Sequence, residues 1–203
     1  MYVKMCGMMS EKDVQAANVA QADMVGFVFA PSKREISVDL AKQLAKEASS
    51  NLKKVGVFVN ETVDYIHDIA ARVGLDYVQL HGDETADFVK QIQLPVIKAF
   101  SIDEAEVTNL NHYHCDYFLI DSPGQQYRGG SGKAFNWQRI LELKLNHKQL
   151  ILAGGLTSEN VFDAIQQVKP FGVDVSSGIE SEGVKDPLKM RTFIEQAKQS
   201  FFK

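Results

Sequence analysis

Eight short runs of β-branched and apolar residues alternate with helix-like segments across 203 residues. That alternation predicts an α/β protein, a single (β/α)8 TIM barrel spanning residues 1–203 as one catalytic domain. Two further observations support it. The starts of the runs lie about 19 to 33 residues apart, close to one βα unit each. Parity along several runs also collects polar groups on one face: Lys4 with Cys6, Gln79 with His81, Asp174 with Ser176. A sheet covered on both faces reads as almost continuously apolar. The polar residues therefore fit a barrel lumen whose upper end is a site. An open doubly wound sheet is the alternative topology.

The runs, taken in order, are Tyr2–Cys6, Met24–Ala30, Val55–Val59, Tyr77–His81, Val96–Phe100, Tyr117–Asp121, Leu150–Ala153 and Gly172–Ser176. Each has strand length and strand composition. Ser10 precedes Val14, Ala17 and Ala20, a cap followed by an apolar face. Thr62 precedes Ile66, Ile69 and Val73, and Ser158 precedes Val161, Ala164, Ile165 and Val168, both at helical spacing. Pro187 opens the last helix, through Met190, Phe193, Ile194 and Ala197. Lys98 interrupts an apolar run. With Lys4 and Asp174 it is expected to share the lumen, because buried charges need partners.

Composition narrows the function classes. At 45% apolar residues the chain has ample material for a core. A net charge of −4 disfavours a nucleic-acid partner. No apolar run approaches the roughly 18 residues of a membrane span, and the N-terminus lacks a signal-peptide pattern. Two cysteines, Cys6 and Cys115, are too few for a disulfide scaffold, so a reduced, cytoplasmic protein is expected. Monomer is the default oligomeric state, with a dimer left open.

Active sites of such barrels sit at the C-terminal strand ends. Gly154-Gly155 after the seventh strand and Ser176-Ser177-Gly178 after the eighth offer permissive backbone and hydroxyls at the recurrent phosphate position of this fold. Cys6 ends the first strand, where a thiolate can act as a base. Asp121 ends the sixth, where burial can make a carboxyl a general acid. Arg34 follows the second strand and can grip a carboxylate bidentately. His81 is a ligand contact or a hydrogen-bonded barrel residue, and both options stand. Two lures fail. Gly129-Gly130-Ser131-Gly132-Lys133 lacks the P-loop's first glycine, with Tyr127 there, and its final hydroxyl, with Ala134 there. It is expected to be a flap over the site. His112-Tyr113-His114-Cys115 has no second ligand pair, so no metal is expected.

The segments Val3-Lys4-Met5-Cys6-Gly7, Val78-Gln79-Leu80-His81-Gly82-Asp83-Glu84 and Gly172-Val173-Asp174-Val175-Ser176-Ser177-Gly178-Ile179-Glu180, with Asp121 and Leu152-Ala153-Gly154-Gly155-Leu156, give the chain a resemblance along its whole length. It resembles the phosphoribosylanthranilate isomerases of tryptophan biosynthesis. The resemblance implies a cofactor-free Amadori rearrangement of N-(5-phosphoribosyl)anthranilate, a small sugar phosphate, to 1-(2-carboxyphenylamino)-1-deoxyribulose 5-phosphate. It implies that Cys6 is the general base and Asp121 the general acid. Arg34, His81 and Asp174 become candidate substrate-binding residues; Gly154, Gly155, Ser176, Ser177 and Gly178 become candidate phosphate-binding residues. One departure stands out. The family usually carries an aromatic residue after the loop arginine, and here Glu35 stands there, a carboxylate able to pair with Arg34 and compete with the substrate carboxylate. A different sugar-phosphate isomerase, an aldolase using Lys98, and a non-enzymatic phosphate sensor are the rivals.

Overall fold

The computed structural model describes residues 2–122, 136–143 and 145–200. The glycine-rich stretch 129–133, expected to form a flap, lies outside the described residues. Eight parallel strands close into a barrel in sequence order: β1 (Tyr2–Cys6), β2 (Met24–Val28), β3 (Lys53–Phe58), β4 (Tyr77–Leu80), β5 (Val96–Ser101), β6 (Tyr117–Asp121), β7 (Leu150–Leu152) and β8 (Gly172–Val175). Closure comes from β1 pairing with β8, which sets Lys4 opposite Asp174. The open-sheet alternative is thereby excluded. The helices are α1 (Glu11–Ala20), α2 (Val38–Glu47), α3 (Val63–Val73), α4 (Ala86–Val89), α5 (Ile102–Val107), α6 (Gln138–Glu142), α7 (Val161–Val168) and α8 (Pro187–Gln199). A two-stranded antiparallel ribbon, β9 (Glu180–Ser181) and β10 (Val184–Lys185), follows β8.

Local chemistry fixes the helix starts. Ser10 and Asp13 form a reciprocal capping box at α1, and Thr62 caps α3. Asp186 caps α8 with Pro187 in the first turn. At α7 the cap residue is Asn160 rather than Ser158. The Asn160 side chain is turned back to the preceding loop, where it accepts from the Thr157 amide at 2.9 Å and donates to the Gly155 carbonyl at 2.9 Å.

Two apolar layers result from strand parity. Outward residues such as Val3, Met5, Phe27, Val78, Leu80 and Val173 pack under the helices with Val14, Ile66, Ile69 and Phe193. Inward residues Met24, Val55, Ile97, Ala99, Leu119, Ile151 and Ala153 fill the lumen. At the N-terminal end an aromatic chain runs along the strand starts: the Tyr77 and Tyr117 rings are 6.1 Å apart, Tyr117 and Phe171 stack at 4.7 Å, and Phe171 and Tyr2 at 4.8 Å.

Lys4 and Asp174 meet in the lumen at 2.7 Å, as charge burial demands. Lys98 does not join them. Ile97 and Ala99 take the lumen face of β5, which turns Lys98 outward. There its ammonium pairs with Glu84 at 3.1 Å, donates to the carbonyls of Gly82 and Ala99 at 2.9 and 3.1 Å, and lies over the Phe100 ring. An aldolase-type Schiff base in the lumen is ruled out by that direction.

Candidate active site

The C-terminal rim collects the end of every strand, and each candidate residue lies there or just beneath it. Cys6, the last residue of β1, is inward and buried. The thiol has room because Gly26 faces it from β2: a Cβ at Gly26 would lie 2.7 Å from the Cys6 Sγ. Two residues below on the same face, Lys4 is 1% exposed. Burial opposes its charge, yet Asp174 and Cys6 together outweigh burial and hold Lys4 above its ordinary value. Burial likewise pushes the Cys6 thiol up, while Lys4 and Lys185 pull it back in part.

Asp121 ends β6 and is 6% exposed. Burial is the main cause lifting its carboxyl to about 6; the Ser122 amide works against that and the Asp174 charge adds to it. The Ser122 N–H donates to Oδ1 at 2.7 Å, which fixes the carboxyl and leaves Oδ2 toward His81, whose Nε2 is 3.9 Å away. Gln79 lies against His81 Nδ1 at 3.0 Å. With the amide nitrogen donating there, a neutral His81 carries its proton on Nε2, on the Asp121 side.

The loops after β7 and β8 lie side by side. Gly154 and Gly155 both have positive φ, 86° and 63°, which glycine alone adopts without cost. A Cβ on Gly154 would collide with the Ser122 amide, so this turn is packed against the Asp121 carboxyl. A Cβ on Gly178 would collide with the Leu156 carbonyl, so the β8 loop is pressed against the β7 loop. Ser177 and Gly178 begin a short 3-10 turn. The Ser176 hydroxyl donates to the Cys6 carbonyl at 3.0 Å, tying the eighth loop to the first strand.

Arg34 is not paired with Glu35, which is exposed. Glu180 binds it instead: Nε donates to one carboxylate oxygen at 2.7 Å and Nη2 to the other at 2.9 Å. Lys185 reaches the same carboxylate at 2.6 Å and the Ser176 carbonyl at 3.0 Å. Sequence reasoning missed Glu180, Lys185 and Ser122 as members of the site. A turn signal, Glu182-Gly183, was present between the first two. Among the described residues no group of three or more metal-binding side chains occurs, His112–Cys115 included. No described helix is long and apolar enough to cross a membrane.

A closed eight-stranded barrel with a lifted carboxyl, a buried thiol and two glycine-bearing loops around one mouth defines a (β/α)8-barrel enzyme of the acid–base class. The comparisons make the assignment particular. The family model described as N-(5'-phosphoribosyl)anthranilate (PRA) isomerase matches residues 3–196. An N-(5'-phosphoribosyl)anthranilate isomerase of Listeria monocytogenes is 47% identical over 98% of both chains. One of Oceanobacillus iheyensis is 49% identical over 96% of this chain and 95% of its own. The crystal structure of phosphoribosyl anthranilate isomerase from Thermotoga maritima matches with a TM-score of 0.88 at 40% identity, covering 98% of this chain and 99% of that one. Another isomerase structure, a complex with reduced 1-(o-carboxyphenylamino)-1-deoxyribulose 5-phosphate, matches with a TM-score of 0.84 at 37% identity over 98% of this chain and 99% of that one. The chain belongs to the N-(5'-phosphoribosyl)anthranilate isomerase family.

Proposed function

We propose that the chain, acting as one catalytic domain, converts N-(5-phosphoribosyl)anthranilate to 1-(2-carboxyphenylamino)-1-deoxyribulose 5-phosphate, the isomerase step of tryptophan biosynthesis. The observation that carries this is the pairing of a buried carboxyl lifted to about 6 at the end of β6 with a buried thiol at the end of β1, beside two loops built for an anion. Asp121, protonated as substrate binds, gives its proton to the ribose ring oxygen. The C1′–O bond breaks and the anthranilate nitrogen's lone pair forms the Schiff base. Cys6 as thiolate takes the proton from C2′, giving an enolamine that tautomerises to the ketone. Burial raises the Cys6 thiol, and Lys4 stands beneath it as a cation that offsets part of the cost of a thiolate there.

The backbone of Gly154, Gly155, Ser177 and Gly178, with Ser176, holds the phosphate. His81 and Asp174 line the wall between acid and base, and Arg34 takes the anthranilate carboxylate. The chemistry calls for no cofactor and no metal. One chain supplies every group in this scheme, which supports a monomer as the working unit. The free cysteines and a phosphorylated substrate fit the cytoplasm.

The test generates the substrate in situ from anthranilate and phosphoribosyl pyrophosphate with a transferase and follows the loss of its fluorescence. The expected result is acceleration by the protein. Cys6→Ala and Asp121→Ala should each lower turnover by about 10²- to 10⁴-fold with the fold intact. Near-normal turnover in either variant removes that residue's role.

A further inference from the structure

The ribbon of β9 and β10 is the smallest element of the fold, and its register has a chemical result. Glu182 and Gly183, with φ of 52° and 81°, form a two-residue turn of the kind hairpins favour. That turn sets Glu180 directly opposite Lys185, and the pair closes to 2.6 Å. Lys185 is 6% exposed and is also held by the Ser176 carbonyl and hydroxyl, at 3.0 and 3.3 Å. Glu180 is therefore fixed before Arg34 meets it.

Arg34 then docks by one edge of its guanidinium. Nε–H and one of the two N–H groups of Nη2 are taken by Glu180, and among the described residues Nη1 has no hydrogen-bond partner. The Nη1–Nη2 edge is left to donate in parallel to a second carboxylate. The Arg34 side chain lies across Gly7, the residue after Cys6, where a Cβ would strike its Cδ, so its aliphatic arm passes the end of β1. Lys185 shares the Glu180 carboxylate, so Glu180 orients Arg34 without cancelling the positive charge of the triad.

We propose that Glu180, locked by Lys185 across the ribbon, is a specificity-determining positioning residue that aims Arg34 at the carboxylate of the substrate's aromatic amine. The inference rests on the proposed isomerase activity and on Arg34 as the carboxylate ligand. It touches no reacting atom and acts through Arg34 alone.

The experiment compares two substrates, the phosphoribosylamine made with anthranilate and the one made with aniline, which lacks the carboxylate. Glu180→Gln removes the charge and keeps the size. It is expected to lower kcat/KM for the anthranilate compound about 10- to 100-fold, mostly through KM, and to change the aniline compound less than about threefold. An equal fall on both substrates, or none on either, overturns the proposal. Should Glu180→Gln fail to fold, Glu180→Asp keeps the charge but withdraws it by one methylene. Unchanged discrimination in that variant overturns the proposal equally. Arg34→Ala separates the premises: if it leaves discrimination intact, the Arg34 assignment falls. If it abolishes discrimination while Glu180→Gln preserves it, only the role of Glu180 falls. A wild-type protein inert toward both compounds removes the isomerase activity itself.

Discussion

Asp121 is a residue whose proposed role as general acid costs stability. Its carboxyl is lifted to about 6 by burial. The folded state therefore binds a proton more tightly than the unfolded chain, where an aspartate titrates near 4. The stabilisation from Asp121 is complete below about pH 4 and is lost as the pH rises through about 6. Asp121→Asn keeps an oxygen to accept the Ser122 amide and has no charge to desolvate. We expect it to be more stable than wild type by up to about 3 kcal/mol at pH 8, with the gap closing toward pH 4. Thermal unfolding across that range checks this, and a gap independent of pH contradicts it. Cys6 and Asp121 were legible as strand-end residues because parity and position needed no contacts. Glu180 was not, because its role depends on a contact with Arg34, 146 positions away in the chain.

At the scale of elements, the sequence was most informative where chemistry repeats with a period. All eight strands were legible, with boundaries moving by a residue or two. The helices with capping signals, α1, α3 and α8, began where Ser10, Thr62 and Pro187 implied. The ribbon was missed because strands of two residues carry no periodicity. The α7 cap was misplaced because Ser158 and Asn160 are both cap-forming types, and only the fold shows Asn160 turned to the Gly155 carbonyl. Two predictions belong here. Ser10→Ala, which breaks the α1 capping box, should cost about 1 kcal/mol and lower Tm by about 2–4 °C. Gly154→Ala faces both a φ of 86° and the Ser122 amide. It should lower kcat/KM by about 10²-fold, through weaker phosphate binding and a displaced Asp121. Inhibition by a non-reactive sugar phosphate measures the first part separately.

Across the whole molecule, the buried ion pairs Lys4–Asp174 and Lys98–Glu84 brace different parts of the barrel. Lys4–Asp174 closes the ring between first and last strands inside the lumen. Lys98–Glu84 sits outside it and ties the rim of β3, β4 and β5, since Glu84 also accepts from the Asn60 amide at 2.8 Å and the Gly82 amide at 2.9 Å. Sequence parity placed the first pair and misplaced Lys98, because a lone lysine in an apolar run does not say which face is the lumen. Lys98→Met strands the Glu84 charge and should cost about 3–5 kcal/mol. Adding Glu84→Gln should recover a substantial part, and a double-mutant cycle by denaturant unfolding reads the coupling.

The apolar filling of the lumen, from Met24 and Val55 to Ile151 and Ala153, bears on the fate of a hydrogen nucleus. The rearrangement moves a hydrogen from C2′ to C1′, and in the proposed scheme Cys6 stands between that packed interior and the substrate. A nucleus held there has few solvent neighbours to trade with. Substrate carrying deuterium at C2′ should therefore deliver part of that label to C1′ of the product, as mass spectrometry would show. Complete washout would mean that the lumen breathes solvent faster than the second transfer occurs.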